Sequence, residues 1–305
     1  MAHGSLYRER VVVGYDGSES SMAAARWAAG EAQRRGRGLV LVHSLLPPAT
    51  TGGLGVGLPP NLDLIEQLEA GVRDEVAAFA QGLGKEFGVE PVESTVQVGA
   101  PSSVLLEASE TAALVVVGSR GRGGFTGLLL GSVGAQVAAH AACPVAVIRQ
   151  SAPEGATTIV VGIDGSPGGE SALRFAFDEA SRHGWTVQAV HAWDVPAYDL
   201  LIVPNGPVPV AMEGVADEEV RLTAEALSGI RDDYPDVDVV EHLVRAPTVQ
   251  ALLDASASAA MIVVGTHGHG PTMGALLGSV SNSLLHKAQI PVVVVPPVRT
   301  KEAAA

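Results

Sequence analysis

Two glycine-rich segments with the same spacing constrain this chain more than any other feature of its sequence. Each contains Gly, two residues, Gly, nine residues and Gly-Ser, first from Gly118 to Ser132 and again from Gly265 to Ser279. Each follows a short apolar run typical of a buried strand and precedes a segment of helical composition. Glycines let a backbone approach a phosphate, and the first N–H groups of a following helix point at it. The sequence therefore predicts two anion sites; the alternative is that these loops are plain connections.

The remainder of the chain repeats together with the glycine segments. Residues 12–18 recur as residues 160–166, and residues 144–148 recur as residues 291–295. A chain of 305 residues is long enough for two ordinary domains. We therefore predict a first domain at residues 1–149 and a second at residues 157–297.

Each half alternates strand and helix patterns, in the order β-α-β-α-β-α-β-α-β. Right-handed crossovers make this order a parallel sheet with helices on both faces. The predicted fold class is α/β, with two tandem five-stranded parallel open sheets of the Rossmann-like kind. Residues 1–10 are expected to lead directly into the first strand. Because ligands bind such sheets where the strand order reverses, we expect a crevice between Asp16, which ends strand one, and Gly118, which ends strand four.

Composition excludes several classes of function. The net charge of −14 argues against nonspecific binding of nucleic acid or of an anionic membrane surface. No apolar stretch approaches the roughly 20 residues that cross a bilayer, and the N-terminus shows no signal-peptide core. The single cysteine, Cys143, excludes an intrachain disulfide and fits a cytoplasmic location. We expect Cys143 to be a buried, small apolar residue.

The repeated motif resembles that of the universal stress protein superfamily, in its tandem-domain, ATP-binding form. Supporting features are the aspartate that ends strand one, the Val-His pair that ends strand two and the Ala-Pro turn after strand three. The resemblance implies one ATP in each half, with Mg²⁺ accompanying it through the phosphates. It places the glycine loop on the phosphates, the aspartate near the ribose or base, and the residue after the strand-two histidine at adenine through its backbone.

The resemblance also implies partners and a role. Strand five pairs across domain or subunit boundaries in related proteins, so we expect a homodimer through the strand-five edges. The implied role is nucleotide-dependent regulation or sensing in stress response and growth control, through a regulatory partner protein that the sequence does not identify.

The resemblance implies a set of candidate ATP-binding residues in each half. In the first half they are Gly14, Asp16, Ser44, Gly99, Gly118, Ser119, Arg120, Gly121, Arg122, Gly123, Gly131, Ser132 and Val133. In the second half they are Gly162, Asp164, Ala192, Arg245, Gly265, Thr266, His267, Gly268, His269, Gly270, Gly278, Ser279 and Val280. In this list Arg245 is taken as the equivalent of Gly99, because an Ala-Pro pair follows each of them.

Several of these residues have a structural alternative. Asp-Gly-Ser is a turn sequence, so Asp16 and Asp164 would also suit an Asx-turn. If they contact a ligand, we expect ribose or adenine, because like charges about 4 Å apart repel by roughly 1–4 kcal/mol. Ser132 and Ser279 would also suit plain helix N-caps. For the strand-end histidines, which are His43 and His191, we expect structural roles.

The two loops differ in their basic residues. Arg120 and Arg122 of the first loop correspond to His267 and His269 of the second, and the alternative is that all four are solvated. Arginine stays charged whereas histidine is mostly neutral at pH 7. The first site is therefore expected to bind ATP more tightly near neutral pH, and the second to gain affinity toward about pH 6. Two histidines without a nearby cysteine or carboxylate do not predict a metal site.

Motifs of nucleotide chemistry are missing. The sequence has no G-x4-G-K-[ST] loop, no G-x-G-x-x-G after strand one and no G-x-S-x-G elbow at a strand–turn–helix position. Phosphoryl transfer needs a metal clamp and a positioned nucleophile, which we do not find. We therefore expect a nucleotide-binding protein without catalytic residues. The alternatives are a slow ATPase or phosphotransfer enzyme on the same fold, and a scaffold whose second site is degenerate.

Overall fold

The computed structural model describes residues 4–45, 62–122, 130–193, 202–203, 206–207, 212–268 and 277–298. It divides into two compact units, residues 1–151 and 152–305. The loop predicted over residues 47–60 lies outside the described residues. None of the described helices combines the length and the hydrophobicity that spanning a lipid bilayer requires.

The first unit alternates strands and helices from its N-terminus. Its elements are α1 (Gly4–Tyr7), β1 (Val11–Gly14), α2 (Glu19–Arg34), β2 (Leu39–Leu45), α3 (Leu62–Phe87), β3 (Val92–Val98), α4 (Pro101–Ser109), β4 (Leu114–Gly118), α5 (Ser132–His140) and β5 (Val145–Ile148).

In the described part of this unit, the five strands are parallel and ordered β5-β4-β1-β2-β3. Helix α2 packs against α3, and α4 packs against α5. Right-handed crossovers place these two pairs on opposite faces of the sheet. Strands β1, β4 and β5 are buried because both faces are covered.

The second unit repeats this pattern. Its elements are β6 (Thr158–Gly162), α6 (Pro167–His183), β7 (Thr186–Trp193), β8 (Ile202–Val203), β9 (Gly206–Pro207), α7 (Met212–Asp233), β10 (Val239–Arg245), α8 (Thr248–Ala255), β11 (Met261–Gly265), α9 (Ser279–Lys287) and β12 (Val292–Val295). As far as this unit is described, its sheet is ordered β10-β7-β6-β11-β12 with parallel pairs. The short strands β8 and β9 pair with each other antiparallel.

The predicted fold class is confirmed: each unit holds a parallel α/β sheet of the Rossmann-like kind. The strand order reverses between β1 and β4 in the first unit and between β6 and β11 in the second. These are the positions at which such sheets bind ligands.

Two expectations about the chain path are wrong. A short helix, α1, precedes β1, because it buries the Tyr7 ring, which is 1% exposed and whose hydroxyl accepts a hydrogen bond from Gln97. Arg245 is not the counterpart of Gly99. In the sheet register Arg245 pairs with Trp193 as Val98 pairs with Leu45, so Arg245 corresponds to Val98.

Candidate functional site

The first glycine of each motif lets a neighbouring helix approach the end of a strand. A Cβ on Gly118 would lie 2.6 Å from Ser20 Oγ and 2.8 Å from the Ser20 carbonyl oxygen, in the first turn of α2. A Cβ on Gly265 would lie 2.7 Å from the backbone of Gly168 in α6. Since backbone cannot give way as a flexible side chain can, these positions exclude larger residues.

The second glycine of each motif makes room for the aspartate that follows the first strand. A Cβ on Gly121 would lie 2.6 Å from Asp16 Oδ2, and a Cβ on Gly268 would meet Asp164 Oδ2. The aspartate and the glycine loop are therefore packed together in both units, as expected for two segments that flank one crevice.

The third glycine of each motif begins a helix. Gly131 and Gly278 are the N-caps of α5 and α9, with extended backbone and no side-chain cap. Ser132 and Ser279 are the first helical residues, so the alternative that these serines are N-caps is wrong. The amides of Gly131 and Gly278 donate to the carbonyls of Ser119 (2.8 Å) and Thr266 (2.7 Å). These bonds fold each loop back over its strand end and leave the first turn of the helix, with N–H groups that lack intrahelical acceptors, at the crevice.

A cavity of ≈ 240 Å³ opens at this place in the second unit. It lies at the carboxyl end of β6 and β11 and at the N-terminus of α9. Many of the predicted site residues of this half line it: Gly162, Asp164, Ala192, Gly265, His267, Gly268, Gly278, Ser279 and Val280.

Other residues predicted for the second site lie elsewhere. Thr266 is buried, and its amide donates to the Val295 carbonyl at 3.0 Å. Arg245 is exposed, with its guanidinium 5.8 Å from the centre of the Trp193 ring. His269 and Gly270, like Gly123 in the first unit, lie outside the described residues.

Several lining residues that lie in helices were not predicted from the sequence. Thr248 and Leu252 of α8, Gly169 of α6 and Ser281 of α9 also line the cavity. The position of α8 after the third strand was the available signal for Thr248. Ser281 is buried, and its hydroxyl donates to the Gly265 carbonyl at 2.6 Å, which holds α9 against the strand end.

In the first unit, the Asp16 carboxylate joins the turn after β1 to the glycine loop. Oδ1 accepts from the Ser18 amide at 3.0 Å, and Oδ2 accepts from the Arg122 amide at 2.8 Å. Burial opposes ionisation of Asp16, but hydrogen bonds from Ser18, the Arg122 amide and Ser21 outweigh it and lower the pKa of Asp16. The Asx-turn alternative is therefore confirmed for Asp16, whereas a ligand contact stays a prediction.

Asp164 is held in the same kind of turn. Its Oδ1 accepts from the amide of Ser166 at 3.0 Å and from the hydroxyl of Ser166 at 2.6 Å. Ser166 is also the N-cap of α6 and accepts from the Gly169 amide at 3.0 Å. The Asx-turn alternative is confirmed here too, and the carboxylate also lines the cavity.

Arginines surround the described part of the first glycine loop. Arg120 and Arg122 are exposed, and the Arg122 guanidinium lies against Gly17, where a Cβ would be 2.7 Å from Nη2. Gly17 has φ +77°, a conformation that favours glycine. Arg149, which follows β5 and was not predicted, has its pKa lowered by burial and by the positive charge of Arg120. Positive charge therefore gathers at this loop although the chain as a whole is acidic.

The ends of the second and third strands carry two further candidate residues of the first unit. The Ser44 hydroxyl donates to the Gly99 carbonyl, and the Gly99 amide donates to the Leu45 carbonyl at 3.0 Å. The remaining candidates of this unit are placed by neighbouring elements. Gly14 faces the Leu105 side chain, Ser119 is buried with its amide bonded to Ile148 at 2.9 Å, and Val133 lies in the first turn of α5.

The strand-two histidines make the same first contact in both units. Nδ1 of His43 lies 2.8 Å from the Tyr15 carbonyl, and Nδ1 of His191 lies 2.8 Å from the Ile163 carbonyl. His191 makes a second contact, between Nε2 and Glu219 Oε2, at 2.6 Å. Both histidines thus tie the end of the second strand to the end of the first.

Comparison with known proteins assigns the family. The family model described as "Universal stress protein family" matches residues 8–149 and 155–296, which is nearly the whole chain. The chain belongs to the universal stress protein family. A universal stress protein of Mycobacterium tuberculosis is 40% identical over 302 residues, covering 93% of this chain and 96% of that protein. One from Mycolicibacterium smegmatis is 35% identical over 295 residues, covering 94% and 97%.

Solved structures of universal stress proteins have the same fold. One from Archaeoglobus fulgidus aligns with a TM-score of 0.65 at 20% identity, covering 95% of this chain and 97% of that one. A putative universal stress protein from Pseudomonas aeruginosa aligns with a TM-score of 0.55 at 15% identity, covering 96% and 95%. At these identities the likeness supports the fold alone.

Proposed function

We propose that this universal stress protein binds one ATP in each unit and acts as a nucleotide-dependent regulator in stress response. The observation that carries the proposal is the second-unit cavity, which joins three motif glycines and the first turn of α9 to Asp164 and Ala192. The glycine-lined end and the helix N-terminus suit phosphates. The carboxylate suits a hydroxyl or amino donor on the rest of a nucleotide.

The first unit supports binding of the same ligand, but its glycine loop carries more positive charge than the loop of the second unit. The strand end, aspartate and helix N-cap repeat there, and Arg120 and Arg122 add positive charge at the loop. Phosphate binding in an acidic protein needs such local donors, because the chain's net charge is −14. Mg²⁺ would then bind through the phosphates of ATP.

We propose a binding protein because glycines, serines and backbone N–H groups form the end of the candidate site that suits phosphates, and because the sequence has no P-loop lysine. Homodimerisation through the strand-five edges, a regulatory partner protein and a cytoplasmic location stay predictions from the sequence.

The test is to identify and measure the ligand. Mass spectrometry of the small molecules that co-purify with the full chain should detect an adenine nucleotide. Calorimetry with ATP and Mg²⁺ should give two sites, one of which is lost in Gly131→Val and the other in Gly278→Val. Gly131→Val is the better-tolerated change, because the nearest atoms to its Cβ lie at 3.6 Å and 3.8 Å. Absence of any nucleotide at saturating ATP would overturn the proposal.

The enzyme alternative is tested with the same variants. Incubation of the wild-type chain with ATP and Mg²⁺ should release no more phosphate than one turnover of bound nucleotide. Sustained turnover that disappears in Gly131→Val or Gly278→Val would show instead that the protein is an ATPase.

A further inference from the structure

The ring of His191 is placed between two hydrogen-bond acceptors. The residue lies near the end of β7 and is 8% exposed. Its Nδ1 is 2.8 Å from the carbonyl oxygen of Ile163, after β6, and its Nε2 is 2.6 Å from Oε2 of Glu219, in α7. One side chain therefore links two strand ends to a helix.

Together, the two contacts need one more proton than a neutral histidine and an ionised glutamate carry. A backbone carbonyl can only accept, so Nδ1 must carry a hydrogen. Nε2 then either donates to the ionised carboxylate or accepts from a protonated one. We propose that His191 and Glu219 hold this extra proton between them and act as a positioning pair for the second-unit nucleotide site; the positioning role rests on the proposed function.

The pair lies directly behind the candidate site. Ile163, whose carbonyl receives the Nδ1 hydrogen, and Ala192, which follows His191, both line the cavity. Asp164 follows Ile163 in the chain and lines it too. Glu219 is itself held, because the buried Thr223 hydroxyl donates to its carbonyl oxygen at 2.9 Å. The pair thus fixes the strand ends that carry the aspartate and the backbone predicted to face adenine.

The first unit provides a natural control. His43 makes the matching contact to the Tyr15 carbonyl, at 2.8 Å. Among the side chains that the structure describes, no carboxylate lies within ion-pair distance of His43. There α3 instead stacks Phe79 on Tyr15, with ring centroids 4.8 Å apart. A neutral ring protonated at Nδ1 satisfies this geometry, so His43 needs no extra proton.

Glu219 is the group that contacts Nε2. Of the other described charged or titratable groups on the surrounding elements, Asp232 of α7 and His242 of β10 are exposed, and several more have partners of their own. The partners are Ser166 for Asp164 after β6, the Trp193 ring for Arg245 and Arg231 for Glu241 of β10, Gln250 for Asp254 of α8, and Glu225 for Arg221 of α7. The side chains of residues 212–218 lie outside the described residues.

The proton is tested without any nucleotide. Nuclear magnetic resonance of the full chain with ¹⁵N-labelled histidine and ¹³C-labelled glutamate reports the state of each ring nitrogen and carboxyl group. At pH 7, His191 should show either both nitrogens protonated, or only Nδ1 protonated beside a protonated Glu219. His43 should be a neutral ring protonated at Nδ1. A neutral His191 beside an ionised Glu219 would overturn the proposal.

The positioning role is tested in a chain that carries Gly131→Val, so that ATP binding reports the second unit. Glu219→Ala leaves Nε2 without its partner and should weaken ATP binding about tenfold, the equivalent of one lost buried hydrogen bond. Glu219→Gln should stay within about twofold of the parent, because its amide can donate to Nε2 of a neutral ring and restore the contact.

Equal loss in both Glu219 variants, or loss in neither, would overturn the positioning role. If the Gly131→Val chain binds no ATP at all, the proposed function of this unit fails instead, and the resonance experiment alone decides whether the extra proton is present.

Discussion

The Asp16 carboxylate occupies the space that a side chain at Gly121 would need: a Cβ there would lie 2.6 Å from Oδ2. The same carboxylate oxygen accepts from the Arg122 amide at 2.8 Å. The second glycine of the motif is thus explained within the protein itself, by the packing of the loop on an aspartate that follows another strand. This relationship makes the loop geometry depend on the aspartate before any ligand is considered.

The pairing predicts a specific non-additivity between these two residues. Gly121→Ala should lower the free energy of unfolding of the first unit by about 1–3 kcal/mol, as expected for overpacking. In an Asp16→Ala background the same change should cost clearly less, because the clashing oxygen is gone. Urea unfolding of the four chains measures this cycle. Gly131→Ala serves as the control, since its Cβ would have ordinary contacts. Strict additivity would contradict the packing explanation.

The hydrogen bonds to Asp16 predict a dependence of stability on acid. Its pKa is lowered in the folded chain, since the bonds from Ser18, the Arg122 amide and Ser21 outweigh the opposing effect of burial. A carboxyl group with a depressed folded pKa stabilises the protein above its unfolded pKa of about 3.9, and this stabilisation is lost as the pH falls through the folded value. Asp16→Asn should therefore flatten the loss of first-unit stability below about pH 4. Acid titrations of wild type and variant, monitored by hydrogen exchange, measure this difference in the pH dependence of stability. Identical curves would contradict the prediction.

The exchange of arginine for histidine between the loops predicts that a permanent positive charge added to the second loop strengthens ATP binding there. His267, which lines the cavity, is the described histidine of this loop. In a Gly131→Val chain, adding His267→Arg should strengthen ATP binding about two- to fivefold at pH 8, because a guanidinium is charged at that pH.

Calorimetry at pH 8 measures this difference. The matching control is Arg120→His in a Gly278→Val chain, which should weaken ATP binding at the first site by a similar factor. Unchanged affinity in both variants would contradict the assignment to the loops.

The environment of Cys143 predicts a thiol that reacts only after unfolding. Burial raises the pKa of Cys143 to about 12, and the side chain is 7% exposed. The thiolate is the reactive form, so little of it exists at pH 8. Iodoacetamide should therefore leave the native chain unlabelled and label it in urea, as mass spectrometry can show. Rapid labelling of the native protein would contradict the burial of this residue.

The sequence by itself determined the duplication, the fold class and most of the second-unit cavity lining. The motif glycines and Asp164 were identified from strand ends and spacing, because β-branched runs and glycine loops are local signals, and Ala192 was implied by the family resemblance. Local signals failed where contacts came from elsewhere in the chain. Arg245 was matched to Gly99 by an Ala-Pro dipeptide, whereas the sheet register matches it to Val98. The serines of the motif were considered as N-caps, although the glycines before them hold that position.

Only the tertiary structure decided which distant groups complete each site. Glu219 approaches His191 from a helix that the sequence separates from β7 by a long segment, and Arg149 reaches the first loop from the end of β5. Likewise, the need for glycine at 121 and 268 comes from a carboxylate in the turn after another strand. Spacing along the chain specifies which elements form, because the conformation of each depends on near neighbours. It does not specify which side chains meet across elements, since these contacts depend on packing between segments that are far apart in the sequence.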